Sequence, residues 1–288
     1  MSTSDSETNA EAESGSETAG SDAEQTDTVA EAPDDVALRT SGLTKFFGAI
    51  EAVRGVDIDV KSDEIFAIVG DNGAGKSTLI KMVSGVLRPT AGEIYLRQDG
   101  RLVRQYFSSS KDAIDAGIAT VYQGQHLSPN ASAMHNVFLG IEPLKRGPEG
   151  WLLRRVDEQR MAEVTRELLD DIGFDFDPRS PVNDLSGGQQ QAVAVARALI
   201  RDPPIIILDE PTSEVSTGGT DKIVDLIRAI PDGEKSVILI THKIDIVVDV
   251  ADRIGVMRDG ELVEIFDTTQ QEVDRMEVVQ RMHGERRR

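Results

Sequence analysis

The sequence contains no cysteine and one tryptophan among its 288 residues, and aromatic residues make up 4% of it. The absence of cysteine excludes disulfide bonds and thiolate-ligated metal sites. No apolar run approaches the ~20 residues that a bilayer-spanning helix needs. The first residues lack the basic and apolar regions of a secretory signal peptide. We therefore expect any role at a membrane to depend on a partner chain.

Basic residues are scarce: 31 lysines and arginines stand against 51 acidic residues, which gives a formal net charge of −20. Residues 1–35 contain acidic side chains and no basic one. This tail has too few apolar residues to fold, so we expect it to be disordered. The acidic balance argues against nucleic-acid binding, which requires a basic surface. It also predicts a halophilic source, because salt screens the repulsion among surface carboxylates.

A glycine-rich stretch between an apolar run and a helical pattern predicts a nucleotide-phosphate site. Ile65–Val69 has the β-branched, apolar composition of a buried strand, and Leu79–Val83 continues as a helix. Glycines let the backbone wrap around phosphates, and N–H groups at the helix N-terminus face the anion. We expect Lys76 to reach the terminal phosphates and Ser77 to bind Mg²⁺. The loop consists of Gly70, Asp71, Asn72, Gly73, Ala74, Gly75, Lys76, Ser77 and Thr78.

Three further apolar runs end in polar side chains. The first is followed by Gln123, the second ends in the pair Asp209 and Glu210, and the third leads to His242. Ligands of parallel sheets bind at the carboxyl ends of the strands, so we expect these side chains to share one site. Asp209 would hold Mg²⁺ directly or through water, and Glu210 would orient and polarise an attacking water.

Two other features point to nucleotide binding less specifically. Ser186, Gly187, Gly188 and Gln189 open a helix with little side-chain bulk, which predicts a second anion-binding helix end. An ordinary N-cap is the alternative interpretation. Phe46 and Phe47 precede the phosphate loop, where an aromatic ring could stack on an adenine, with a core aromatic as the alternative.

The rest of the chain divides into strand-rich and helix-rich regions. Residues 56–60 alternate between apolar and acidic, which predicts a half-buried strand. Residues 92–103 and 254–265 predict two hairpins around Asp-Gly turns. Residues 134–180 lack strand alternation and carry apolar residues at helical spacing, which indicates a helical insertion. A short helix is expected near residues 270–283.

Together these motifs resemble the ATP-binding subunit of an ABC transporter, over residues 36–284. The decisive feature is Leu185–Gln189 upstream of Ile207–Thr212, because the phosphate loop alone indicates only an NTPase. The resemblance implies an α/β P-loop NTPase fold of ABC type. It has a RecA-like core, an antiparallel β-subdomain and a helical subdomain at about residues 130–200. ATP and Mg²⁺ are the implied cofactors.

The resemblance also assigns a role to each motif. The phosphate loop is the Walker A motif, Ser186–Gln189 are the signature, and Phe47 is the adenine-stacking aromatic. Gln123 is the Q-loop glutamine and Asp209 the Walker B aspartate, and both are implied Mg²⁺ ligands. Glu210 is the catalytic glutamate and His242 the switch histidine.

The implied assembly is a head-to-tail dimer, formed by two copies or by two related subunits. Each ATP lies between the Walker A loop of one subunit and the signature of the other. The dimer is peripheral, on the cytoplasmic face of the cell membrane. Two transmembrane permease subunits dock near the Q-loop and the helical insertion. An extracellular solute-binding protein acts through the permease.

Three segments are similar to importers of simple sugars such as ribose, fructose or glucose: Asn136–Gly140, Gly147–Trp151 and Gln189–Arg197. The implied function is ATP hydrolysis that energises monosaccharide import, and the charge fits a haloarchaeal system. An importer of another small solute, such as a nucleoside, and a non-transport ABC ATPase are the alternatives. Many subunits of this type carry two modules, whereas this chain has one set of motifs.

One segment departs from the family pattern. Glu214–Ser216 stands where the family has its D-loop, with Ser216 in place of a frequent aspartate. The resemblance therefore does not assign this segment a role in communication between the two subunits of the dimer.

Overall fold

The structure is a computed structural model that describes residues 29–30, 33, 35–124, 126–145, 147, 154–213, 215 and 219–284. The strands are β1 (Val29–Ala30), β2 (Val36–Phe47), β3 (Ile50–Lys61), β4 (Ile65–Val69), β5 (Ala91–Gln98), β6 (Arg101–Gln105), β7 (Ile118–Val121), β8 (Ile205–Asp209), β9 (Ser236–Ile240), β10 (Arg253–Arg258) and β11 (Glu261–Asp267). The helices are α1 (Lys76–Val83), α2 (Ser110–Asp115), α3 (Ala133–Val137), α4 (Glu158–Asp171), α5 (Gly187–Leu199), α6 (Thr220–Ala229), α7 (Ile244–Val250) and α8 (Arg275–His283).

A six-stranded sheet contains the apolar strands predicted from the sequence, in the order β11-β10-β4-β9-β8-β7. Its strands are parallel except for β11, which pairs antiparallel with β10. Every residue of β4 and β9 is buried, as expected for parallel strands covered on both faces. The register pairs Val121 with Leu208 and Asp209 with Ile240, so β7, β8 and β9 end at one edge.

The side chains of β4 alternate between two hydrophobic cores. Ile65, Ala67 and Val69 face a core built largely from helices. Phe66 and Ile68 face a second core, shared with α1 and the antiparallel sheet. The loop after β4 therefore starts from a strand that is fixed on both faces by packing.

The second sheet is antiparallel, in the order β1-β6-β5-β2-β3. Val56, Ile58 and Val60 are buried, which confirms the predicted alternation. The predicted hairpins are β5–β6, which turns at Asp99–Gly100, and β10–β11, which turns at Asp259–Gly260. All four turn residues have positive φ, as a two-residue hairpin loop requires.

The predicted helical insertion contains α3 and α4, which pack against each other and against α5. The α4 helix begins after Asp157, whose carboxylate accepts a hydrogen bond from the Arg160 N–H at 3.2 Å. Met161, Leu169 and Ile172 are buried in the helical core. This confirms the helical spacing read from the sequence, while the exact subdomain boundaries remain a prediction.

The N-terminal part of the described chain differs from the expectation that order begins near Val36. Val29 and Ala30 pair with Val103 and Leu102, which adds β1 to the antiparallel sheet. Residues 1–28 lie outside the described residues, so their disorder remains a prediction. The sugar-importer segment beyond Gly147 and most of Glu214–Ser216 also lie outside them.

Within the described part of the chain, no helix combines the length and apolar composition needed to cross a bilayer. The predicted C-terminal helix is α8, which contacts α7 and β10.

Candidate functional site

The loop between β4 and α1 packs closely against β3 and β10 on one side and is open on the other side. A Cβ at Gly70 would lie 2.3 Å from the Met257 carbonyl oxygen, and one at Gly75 would lie 2.5 Å from that of Ala52. Gly73, at a φ of 88°, faces open space instead. Only glycine allows this approach of the loop to β3 and β10. The open side is left for a ligand.

Lys76 begins α1 and extends its side chain back along the loop. Its ammonium donates to the carbonyl oxygens of Gly70 at 2.6 Å and Asp71 at 3.1 Å. Burial lowers the pKa of Lys76, while the negative charges of Glu210, Asp71 and Asp209 act in the opposite direction. An ammonium held in this way can exchange loop carbonyls for phosphate oxygens.

The other loop residues surround the same opening. Asn72 and Ser77 are exposed, and Thr78 is half-buried. Ala74 is buried in the core beneath the loop, and its N–H donates to the Asp71 carbonyl at 3.1 Å. Ser77 lies in the first turn of α1, and binding of Mg²⁺ by its hydroxyl remains a prediction.

Asp209 is the last residue of β8, and Glu210 follows it at the shared strand edge. Burial raises the pKa of Asp209, and the Glu210 charge raises it further, whereas Lys81 and Lys76 lower it. A carboxylate that loses hydration in this way gains strongly from a bound cation.

Of the predicted Mg²⁺ ligands, Asp209 ends β8 and Gln123 follows β7, whereas Ser77 lies in the first turn of α1. Gln123 lies two residues beyond β7 and is exposed. Within the described residues, no group of three or more acidic or histidine side chains could hold a metal ion. The hydroxyl, amide and carboxylate oxygens fit Mg²⁺, which takes few protein ligands beside substrate phosphates and water.

His242 and Glu210 meet where β8 and β9 end. Nδ1 of His242 lies 2.9 Å from Oε1 of Glu210, and the Thr241 hydroxyl donates to Oε2 at 3.3 Å. Glu210 has a φ of 51°, and its N–H donates to the Ile240 carbonyl at 2.8 Å. These contacts fix the carboxylate, so it is suited to accept a proton from water.

The predicted signature residues lie at the start of α5. Ser186 is the N-cap of α5: its hydroxyl accepts from the Gln189 N–H at 3.4 Å, and the Gln189 side chain accepts from the Ser186 N–H at 2.9 Å. The ordinary N-cap role is therefore present, and anion binding remains a prediction. A pocket of about 180 Å³ opens here, lined among others by Phe174, Ser186, Gly187, Gly188, Gln189 and Lys222.

Phe47 ends β2 and is 46% exposed, so it is available for stacking rather than buried in the core. The Lys45 ammonium lies 5.5 Å from the centre of its ring. The same ammonium donates to the Arg88 carbonyl at 2.6 Å. One face of the ring is thus covered by a cation.

Two residues absent from the sequence prediction join the site. Thr241 contacts Glu210, and the Lys243 ammonium donates to the Thr212 carbonyl at 3.1 Å. The position of Thr241 beside His242, at a strand end, was a usable signal. Lys243 gave none, because a long flexible side chain can point its ammonium in many directions.

The model of the ABC transporter family matches residues 53–213, more than half of the chain. The chain belongs to the ABC transporter family.

Curated relatives are ATP-binding proteins of sugar transport systems. The galactofuranose transporter ATP-binding protein YtfR of Escherichia coli (strain K12) is 40% identical, over 86% of this chain and 47% of its own length. The arabinose import ATP-binding protein AraG of Azospirillum brasilense is 37% identical, over 80% and 42%. The ribose import ATP-binding protein RbsA 3 of Rubrobacter xylanophilus is 37% identical, over 86% and 47%. The chain spans about half the length of these relatives.

Solved structures confirm the predicted α/β P-loop NTPase fold of ABC type. A nucleotide-free ATP-binding cassette from an ABC transporter has a TM-score of 0.70 at 25% identity, covering 87% of this chain and 96% of its own. The dimeric structure of the bacterial cassette MJ0796 has a TM-score of 0.65 at 29% identity, covering 80% and 98%.

Proposed function

We propose that this chain is the ATP-hydrolysing subunit that energises import of a monosaccharide through an ABC transporter. The observation that carries the ATPase part is the Glu210 carboxylate, held by His242 at the strand edge it shares with the Walker A loop. The sugar part rests on relatives named for galactofuranose, arabinose and ribose transport. The individual sugar is left open.

In this proposal each motif acts on a different part of the nucleotide. Phe47 stacks on adenine, and Lys76 with the loop N–H groups binds the phosphates. Ser77, Asp209 and Gln123 would hold Mg²⁺, which would neutralise the charge of the phosphates.

Glu210 takes a proton from the attacking water. The oxygen of that water bonds to the γ-phosphorus, and the bond between the γ-phosphorus and the bridging oxygen of ADP breaks. His242 holds the Glu210 carboxylate through Nδ1. The products are ADP and inorganic phosphate, and the transferred proton leaves Glu210 when the site resets.

The separation of the signature from the Walker A loop supports a two-subunit site. The described residues that line the signature pocket come from the start of α5, the segment around Phe174, Val215, and the beginning of α6 with its N-cap Gly219, and none of them belongs to the Walker A loop. We infer that the signature serves the ATP of a second subunit, in a head-to-tail dimer. Two permease subunits and an extracellular solute-binding protein complete the proposed system, with this subunit on the cytoplasmic face.

An importer for another small solute, such as a nucleoside, would use the same ATPase chemistry. A non-transport ABC ATPase is less well supported, because the net charge of −20 disfavours nucleic acid as a partner.

The direct test is phosphate release by the purified full chain and by Glu210→Gln. Removal of the carboxylate should slow turnover by about 10²–10⁴-fold, the usual contribution of a positioned acid–base group. ATP binding should persist, since the described hydrogen bonds of Glu210 join it to Ile240, Thr241, His242 and Ser213 and not to the Walker A loop. Turnover close to that of the unmodified chain would refute the assignment of Glu210.

A further inference from the structure

The backbone at Glu210 needs external support. Its φ of 51° is left-handed, a conformation that a non-glycine residue keeps only where its surroundings hold it. The Glu210 N–H donates to the Ile240 carbonyl at 2.8 Å, and the Ser213 N–H donates back to the Glu210 carbonyl at 3.1 Å. Residues 210–213 therefore form a turn that leaves the sheet immediately after the carboxylate.

The end of β9 holds this turn at two places. Thr241 and His242 contact the carboxylate, as described above. Lys243 contacts the far side of the turn, where its ammonium donates to the Thr212 carbonyl at 3.1 Å. The Lys243 N–H also donates to the Thr241 hydroxyl at 3.2 Å. Three consecutive residues thus support both ends of the turn.

Thr212 is a buried residue whose carbonyl accepts a hydrogen bond from Lys243. Thr212 is 2% exposed, and within the described residues its hydroxyl is buried without a hydrogen-bond partner. The carbonyl bond to Lys243 is the polar side-chain contact that fixes the residue. A charge-assisted bond of this kind is stronger than a neutral one.

We propose that Lys243 is a positioning residue for the Glu210 carboxylate: it fixes the 210–213 turn through the Thr212 carbonyl. This inference rests on the proposed role of Glu210 in ATP hydrolysis. The Lys243 ammonium bonds to Thr212 and to no loop carbonyl, whereas Lys76 alone bonds to Gly70 and Asp71 among the described contacts. Lys243 therefore affects the chemical step and leaves nucleotide affinity unchanged.

The test compares Lys243→Met, which keeps the length of the side chain without its charge, with Lys243→Arg, which keeps a cationic donor. Lys243→Met should lower kcat by about 10- to 100-fold, the size of effect that a misplaced catalytic group produces. The Kd for ATP should stay at its original value, and the Tm should fall only slightly, because a single hydrogen bond to a buried carbonyl is lost. Lys243→Arg should restore most of kcat.

The control is Lys111→Met, because Lys111 is an exposed lysine of α2 that pairs with Asp115. This variant should retain kcat. A second measurement places Lys243→Met in the Glu210→Gln background. No further loss is expected there, because the group that Lys243 positions is already absent.

Three results would overturn the inference: an unchanged kcat in Lys243→Met, a loss of kcat matched by weaker ATP binding or by unfolding at the assay temperature, or a full additional loss in the Glu210→Gln background. The failure of the proposed function itself is distinguishable, since Glu210→Gln alone would then turn over ATP normally.

Discussion

At the residue scale, the Walker A glycines differ in what surrounds the space that a Cβ would fill. Gly75 packs against the Ala52 carbonyl oxygen, whereas Gly73 faces open space. Both have a left-handed φ, of 101° and 88°, so both substitutions to alanine carry the same backbone strain of about 1–2 kcal/mol. Only Gly75 adds a steric conflict with a neighbouring strand.

We therefore predict that Gly75→Ala lowers the free energy of unfolding by about 1–3 kcal/mol more than Gly73→Ala does, because overpacking adds to the strain. Gly73→Ala should mainly weaken nucleotide binding, because its Cβ would enter the open side of the loop. Urea unfolding and ATP titration of both variants measure this difference. Equal losses of stability would show that the contact with β3 is unimportant.

Sequence reasoning identified those site residues whose chemistry follows from a backbone pattern. A glycine loop between strand and helix, and polar residues at strand ends, predicted Lys76, Asp209 and His242 at one edge. The Lys243–Thr212 contact was not predictable, since it depends on which way a flexible side chain points and on the register of two strands. The roles of these residues in catalysis remain predictions.

At the element scale, two helices begin with the same local structure in different surroundings. Ser109 of α2 and Ser186 of α5 each form a capping box with the residue three positions later. Only α5 starts at the signature pocket. A comparison of substitutions at the two N-caps therefore distinguishes an effect on helix stability from an effect on function.

Ser109→Ala and Ser186→Ala should each cost about 1 kcal/mol of stability, the usual loss for an N-cap. Only Ser186→Ala should also weaken ATP-dependent dimerisation, which light scattering in the Glu210→Gln background measures. If Ser109→Ala weakened the dimer equally, the signature would have no special part in it.

A buried ion pair joins the two sheets near the start of β4. Glu64 accepts from the Lys61 N–H at 2.6 Å and pairs with Arg253 at 3.2 Å. Burial raises the pKa of Glu64 above 4.5, although Lys61 and Arg253 act in the opposite direction. In the interval between 4.5 and that raised pKa, the unfolded chain binds fewer protons, so stability falls as pH rises.

Glu64→Gln should remove this contribution. The stability of the unmodified chain, relative to the variant, should fall as pH rises through that interval and then level off. Urea unfolding of both proteins from about pH 4 to about pH 8 provides the comparison. A difference that grows in favour of the unmodified chain as pH rises would contradict the raised pKa.

The elements that the sequence predicted well are those with a strong periodic signal. Buried runs such as β4 and β9, the alternating β3 and the long α4 were all recognisable. The short β1 was not, because two residues carry no periodicity and their pairing depends on the distant β6.

At the scale of the whole molecule, the net charge of −20 is a source of self-repulsion. Surface ion pairs, such as Arg228–Asp249 at 2.7 Å, oppose it but contribute little each. The screening length falls from ~10 Å at 0.1 M to ~3 Å at 1 M salt, so salt removes more repulsion than attraction in so acidic a chain.

We therefore predict that Tm rises between low-salt buffer and about 1 M KCl, where charge repulsion is largely screened. Thermal unfolding monitored by circular dichroism measures the shift. A Tm that stays level or falls would mean that ion pairs, rather than repulsion, dominate the surface, and it would remove the halophilic interpretation.

In the proposed function, this chain hydrolyses ATP to drive a sugar permease. The most direct measurement is affinity purification of the tagged full chain from gently solubilised native membranes, with mass spectrometry of the proteins that accompany it. We predict a permease with several membrane spans and an associated solute-binding protein that binds a monosaccharide. Recovery of the chain alone, or with ribosomes or DNA, would contradict the role of the chain in transport. It would not affect the assignment of the ATPase site.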